Sequence, residues 1–176
     1  MTTRIAFLRA VNLGTRTVKM ATLVEVVEAL GYDQVSTYVN SGNVVFDATG
    51  RREAIERTME NSFEEAFGFE VTTFVRTATE LRKAIAAEPF SVGSGDTYFL
   101  TFLKAAPTAE QRRALEELTN DFDTLVAVGR DVHWRMHGKS TDTQLKTKDW
   151  EHIIGQNQST SRNMTMLRKL AAKISA

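Results

Sequence analysis

The sequence predicts an α+β chain built from two similar halves with antiparallel sheets, and three observations carry that prediction. Residues 4–76 show strand and helix patterns in the order β-α-β-β-α-β, the ferredoxin-like order. A second pass beginning at Thr97 repeats β-α-β-β-α, which points to an internal duplication resting on element order and spacing. Two short runs, Ile5–Leu8 and Tyr98–Leu103, are apolar on both faces, as central strands covered on both sides must be. The expected organisation is two tandem ferredoxin-like (β-α-β-β-α-β-type) halves. Residues 1–76 form the first, 77–96 a connecting helix and loop, and 97–176 the second half, closed by a C-terminal helix.

Each element has its own justification. After the first strand, a polar loop from Arg9 to Lys19 leads into a helix over Met20–Leu30, where Leu23, Val26, Val27 and Leu30 recur at helical spacing and Gly31 stops the run. Gln34–Val39 and Asn43–Asp47 are apolar runs flanking Asn, Ser and Gly, a hairpin signature. Ile55, Met59, Phe63 and Phe67 recur every four residues along a helix over Arg51–Phe67, and Gly68 ends it. Glu70–Arg76 is rich in β-branched residues and predicts a fourth strand. Thr77 and Glu80 have capping-box spacing for a helix to about Ala87, which Pro89 terminates. In the second half, Thr108 and Gln111 form another capping box, with Ala114, Leu115 and Leu118 as the buried stripe. Leu125–Val128 and Val132–Met136 are strands joined through Gly129-Arg130-Asp131. Gln144–Ile154 and Arg162–Ile174 are expected helices, and no run is apolar enough to announce a closing strand before the last of them.

Bulk chemistry narrows the function classes. The 176 residues carry 22 basic and 22 acidic side chains, net charge zero, which argues against a general nucleic-acid binder. The absence of Cys excludes disulfides, thiolate metal sites and cysteine nucleophiles. No apolar stretch reaches the roughly 20 residues that span a bilayer, and Met1–Leu13 lacks the segment order of a signal peptide. A cytoplasmic location without membrane contact follows by default; the sequence sets no oligomeric state. Glycine-rich nucleotide loops and a nucleophile elbow are absent. No cofactor is expected. His133 and His137 are four apart on a predicted strand, with Asp131 nearby and His152 elsewhere, but their spacing fits no zinc or iron pattern; no metal is expected, and His133 is read as a strand-surface residue. Phe7 and Phe46 sit among apolar neighbours and are read as buried, not as an RNA-stacking surface.

The strand order expected for the first half is 4-1-3-2, which sets the exit of strand one beside the entry of strand three. One rim then gathers Arg9, Asn12 and Lys19 with Asn40, Ser41, Gly42 and Asn43, next to the N-terminus of the first helix. Helix N-termini carry unsatisfied donors and partial positive charge; Arg binds phosphate or carboxylate through paired hydrogen bonds. The rim is therefore a candidate site for a small anionic ligand. Asn-Ser-Gly-Asn is equally a competent turn by itself. A second candidate is Thr160-Ser161-Arg162-Asn163, read as a helix start in which Arg162 opposes the dipole and meets either an internal carboxylate, the commoner case, or a ligand. Two rival readings stand beside ligand binding. One is a hydrolase or transferase acting on a phosphorylated compound at the same rim. The other is a protein–protein interaction module using a sheet face or edge.

The strings Ala6-Phe7-Leu8-Arg9-Ala10-Val11-Asn12-Leu13-Gly14, Val18-Lys19-Met20, Thr37-Tyr38-Val39-Asn40-Ser41-Gly42-Asn43-Val44-Val45-Phe46 and Thr160-Ser161-Arg162-Asn163 together resemble the bacterial family catalogued as domain of unknown function 1697. The resemblance implies an α+β fold of two similar ferredoxin-like halves. It supplies no catalytic residues, because the family's activity is uncharacterised. This sequence departs from the family at Thr15-Arg16, where a second glycine and further basic residues are common, at Asn40 in place of Gln, and at Met164 in place of Trp. The last departure removes an aromatic that could stack at the final helix.

Overall fold

The computed structural model describes residues 1–12, 15–39 and 42–174. The chain divides into two compact units, Met1–Leu81 and Arg82–Ala176.

The first unit runs β1 (Thr2–Leu8), α1 (Met20–Glu28), β2 (Asp33–Thr37), β3 (Asn43–Ala48), α2 (Arg52–Phe67) and β4 (Thr73–Thr77), followed by α3 (Ala78–Ala87), inside which the division falls. Its four strands are ordered β2-β3-β1-β4, and both neighbours of β1 run antiparallel to it. This is the ferredoxin-like arrangement the element order predicts. Strand alternation sends Ala6, Leu8, Val44, Phe46 and Val75 to one face, where Leu23 and Val27 of α1 and Ile55, Met59 and Phe63 of α2 cover them. The residues between them, Ile5, Phe7 and Phe74, are fully buried as well, so β1 is covered on both faces as its composition requires. Phe7 and Phe46 are both buried, in agreement with the reading against an exposed stacking surface.

The second unit repeats the scheme with β5 (Thr97–Leu103), α4 (Ala109–Glu116), β6 (Asp123–Val128), β7 (Asp131–Met136), a 3-10 turn (Ser140–Asp142), α5 (Thr147–Ile154), β8 (Ser159–Asn163) and α6 (Met164–Ile174). Its order is β6-β7-β5-β8. The registers coincide: Ile5 faces Arg76 in one sheet and Leu100 faces Arg162 in the other. The helix-covered face here holds Leu103, Leu115, Leu125, Val132, Trp134 and Trp150. The capping box at α4 is present in full: Gln111 N–H donates to Thr108 Oγ1 and the Thr108 N–H to Gln111 Oε1.

Several expectations are corrected. Residues 159–163 are a strand, not the start of a helix; they pair with β5 and supply the closing strand that the sequence did not announce. Polar β-branched and small residues such as Thr160 and Ser161 suffice, because β5 provides the apolar partner row. Gln144 and Leu145 lie outside α5, since the Gln144 N–H donates to Asp123 Oδ2 and the Leu145 N–H to Thr143 Oγ1. Thr77 does cap α3 through the Glu80 N–H, but the Glu80 carboxylate binds both terminal nitrogens of Arg52. His133 is fully buried on β7 and not a surface residue.

Each unit also closes one sheet edge with helix side chains. On β4, Arg52 donates to Val75 O at 3.4 Å, Glu56 accepts from Val75 N at 2.9 Å and Glu60 accepts from Thr73 N at 2.9 Å. On β6, Arg112 donates to Ala127 O at 2.9 Å, Glu116 accepts from Ala127 N at 3.0 Å and Thr119 accepts from Leu125 N at 3.1 Å. An Arg and a Glu four apart on a helix thus hold the carbonyl and the amide of one edge residue, as a further strand would.

Candidate functional site

The rim of the first unit forms where the order 4-1-3-2 requires. Phe7 is paired with Asn43, the Leu8 N–H donates to Gly42 O at 2.9 Å, and the Arg9 N–H donates to Thr72 O at 2.9 Å. Gly42 has φ +77°, and a Cβ there would meet Leu8 Cβ at 3.1 Å and Val11 Cβ at 3.4 Å. Only glycine fits both the backbone and the space. Asn43 is fully buried; its Nδ2 donates to Tyr38 O at 2.8 Å while the Tyr38 N–H donates to Asn43 O. Gly42 and Asn43 are thereby engaged in closing the β2–β3 hairpin against β1. Asn40 and Ser41, and Gly14 of the preceding loop, lie outside the described residues.

The connection from β1 to α1 is pinned at two apolar points. Val11 and Val18 are buried in the same core as the helices. Between them Asn12 adopts φ +59°, a value Asn tolerates better than most residues, and its Oδ1 accepts from the Val18 N–H at 2.6 Å. The loop from Arg9 to Lys19 contains Arg9, Arg16 and Lys19 and no acidic residue. Arg9 is half-buried, and Asn12 and Lys19 are exposed. Arg16, which the motif reading passed over, lies with its guanidinium 4.8 Å from the Phe69 ring centroid. The signal for Arg16 was present in the sequence as a third cation in an acid-free loop. Lys19 is the N-cap of α1 in an extended conformation; it makes no side-chain cap, and the first turn holds no acidic residue. The positive end of α1 therefore lies at the end of the basic loop with no acidic residue in its own first turn.

Arg162 and Asn163 belong to the second unit, at the junction of β8 and α6. Arg162 is buried on the strand, and its Nη1 donates to Thr160 Oγ1 at 2.8 Å and to Ser161 O at 3.0 Å. Burial brings its pKa down to about 10. The helix-start reading of Arg162 is thus corrected: it stands on a strand facing Leu100, and the dipole argument does not apply to it. Asn163 is the residue at the helix start, accepting from the Thr165 N–H at 2.8 Å through Oδ1.

A cleft of about 250 Å³ in the first unit is lined by Glu60, Asn61, Glu64, Glu70, Val71 and Thr72. Its three carboxylates are the wrong sign for an anion, and Glu60 is already holding the Thr73 N–H. Among the described residues no group of three or more His, Asp or Glu side chains could hold a metal ion.

The model of the family described as protein of unknown function (DUF1697) matches residues 1–133. The chain belongs to this family. The match covers both the rim and most of the second sheet. The chain is also similar to the solved structure of the conserved bacterial protein SP0830 from Streptococcus pneumoniae, with a TM-score of 0.77 at 18% sequence identity over 100% of this chain and 99% of that one. At that identity the likeness shows the fold. No curated protein matches the chain. Among the described residues, no helix is long and apolar enough to cross a membrane.

Proposed function

We propose that this DUF1697 member binds a small phosphate- or carboxylate-bearing ligand at the rim of its first half. The observation that carries the reading is the acid-free loop from Arg9 to Lys19, held by the Asn12–Val18 hydrogen bond at 2.6 Å beside an α1 start that lacks a side-chain cap. Arg9 and Lys19 supply charge and Asn12 fixes the loop. Gly42 and Asn43 act as the floor by keeping the hairpin against β1, and Asn40 and Ser41 are proposed to orient the ligand. Arg162 and Asn163 stand apart from this reading, as parts of the second half. The proposal takes 1–76 and 97–176 as the duplicated halves and 77–96 as their connector.

Calorimetric titration with inorganic phosphate, pyrophosphate and nucleoside mono- and diphosphates tests the reading. Saturable binding by at least one of them, weakened about tenfold by Arg9→Ala or Lys19→Ala, is the expected result. Binding that survives both substitutions unchanged, or no binding by any anion, would overturn it.

A further inference from the structure

The second unit buries a hydrogen-bonding pair beneath an irregular segment. On β7, His133 is fully buried, and its Nδ1 lies 2.5 Å from the hydroxyl of Tyr98 on β5. Nε2 is also buried and has no hydrogen-bond partner among the described residues. Burial, reinforced by Glu88, pushes the Tyr98 phenol up to about 12. Tyr98 therefore keeps its proton, and in the tautomer where it donates to Nδ1 the imidazole proton sits on Nε2 as an unmet buried donor. Such a group calls for a physical explanation, and a store of strain is one.

The residues over the pair supply it. Phe90 sets its ring edge-on to Tyr98, with centroids 5.0 Å apart, and to His133 at 6.5 Å. It belongs to the segment 88–96, which contains no helix or strand and includes Pro89, Gly93 and Gly95. Three side-chain latches hold that segment. Arg135 donates to Ser91 O at 2.6 Å and lies 5.1 Å from the Phe90 ring centroid. Arg168 on α6 pairs with Glu88 at 3.0 Å, and His137 meets Asp96 at 3.2 Å.

We propose that segment 88–96 is a proton-sensitive strap, closed over neutral His133 and released when that histidine takes a second proton. Closed, an imidazolium would face Tyr98 from β5 and Phe90 from the strap, rings that themselves lie under the guanidinium groups of Arg168 on α6 and Arg135 on β7, while Leu100 stands between His133 and Arg162 in the strand register. Glu88 on the strap opposes that charge, and Glu88 is engaged by Arg168. Burial accordingly depresses the His133 pKa to about 4. Open, water reaches Nε2, the pKa returns to its ordinary value, and the Tyr98–His133 pair becomes a solvent-accessible donor and acceptor. The His137–Asp96 latch works in the other direction, because that contact is an ion pair only when the imidazole carries a charge.

Hydrogen exchange of the strap amides in the full-length chain tests this, corrected for intrinsic exchange, with a His137→Gln background removing the opposing latch. Between pH 7.5 and pH 5 the opening equilibrium is expected to rise about 25-fold. His133→Phe keeps an aromatic in the space and should leave the strap indifferent to pH. Titration of the His133 imidazole by NMR in the unsubstituted protein reads the same coupling without any substitution, and a midpoint well below the ordinary histidine value of about 6.5 is expected. The strap is refuted if its opening does not change with pH, if it changes equally in His133→Phe, or if His133 titrates at the ordinary histidine value of about 6.5 while the strap stays closed.

Discussion

The two halves share one topology and differ at one edge. Backbone links that organise the end of the central strand recur: Leu8 N–H to Gly42 O and Arg9 N–H to Thr72 O in the first, Leu103 N–H to Arg130 O and Lys104 N–H to Gln158 O in the second. Around this common frame the connections diverge. Residues 9–19 join β1 to α1, while residues 104–108 suffice between β5 and α4. The hairpin loop spans 39–42 in the first half and 129–130 in the second. The helix starts differ in the same sense, with α4 closed by the Thr108–Gln111 box and α1 left without a side-chain cap. The second half shows what the frame needs to fold; the longer basic connection and the helix start without a side-chain cap in the first half are what the frame does not need. That difference is the physical case for proposing a ligand site there.

What holds the second half is a buried carboxylate. Asp123 accepts from Trp134 Nε1, Thr143 Oγ1, Gln144 N and Asn120 Nδ2, tying β6 to β7 and to the segment before α5. Asp123→Ala should show the largest effect, a loss of about 4 kcal/mol read from the urea midpoint. Burial pushes the Asp123 carboxyl up, but those hydrogen bonds together outweigh it and hold the group below the usual range. Its contribution is therefore present above the unfolded carboxylate pKa and disappears as pH falls through the depressed folded value. His133 acts in the window above that. Its folded pKa of about 4 lies below the unfolded value, so the unfolded chain takes up the proton first as pH falls through about 6.5, and up to about 3 kcal/mol is lost by pH 4. Denaturant midpoints measured between pH 7 and pH 4 should fall less in His133→Phe than in the unsubstituted chain.

Next in size is the pair of hairpin glycines. Gly42→Ala should cost about 3 kcal/mol, because it combines positive φ with a 3.1 Å approach to Leu8 Cβ. Gly129→Ala, at φ +61° with nothing within 4 Å, should cost about 1 kcal/mol. Equal losses would mean that the first hairpin is not held against β1 by close contact.

How much of this was legible follows from which signals are local. Central strands announce themselves, since Ile5–Leu8 and Tyr98–Leu103 are apolar on both faces, and the Thr108 box was readable from spacing alone. The strand order brought Arg9 and Asn12 to the edge of Gly42 and Asn43, as the first half's element pattern implies. Strand β8 was not legible, because Ser159–Asn163 carries no apolar alternation and is a strand by virtue of its partner. Burial of Arg162 and His133 escaped for the same reason: each faces or flanks Leu100, a neighbour far away in sequence. The turn at Gly42 was predicted, but the approach of Leu8 and Val11 that makes its glycine indispensable depends on tertiary contact. Asn43, a candidate for the rim from its sequence, makes the hydrogen bond to Tyr38 O that closes the hairpin.

The smallest expected effect concerns the open helix. Lys19→Ser adds a capping hydroxyl to α1 and should stabilise the chain by about 0.5–1 kcal/mol while weakening anion binding. Loss of stability together with tighter binding would reverse the assignment of that helix end.

The most direct measurement compares the two helix starts in one experiment. The amide resonances of Met20–Leu23 in α1 and Ala109–Arg112 in α4 are followed during titration with phosphate and a nucleoside diphosphate. Saturable shifts at α1, absent at α4 and abolished by Arg9→Ala, are what the difference between the halves predicts. Shifts at α4 equal to those at α1, or none at either, would contradict it.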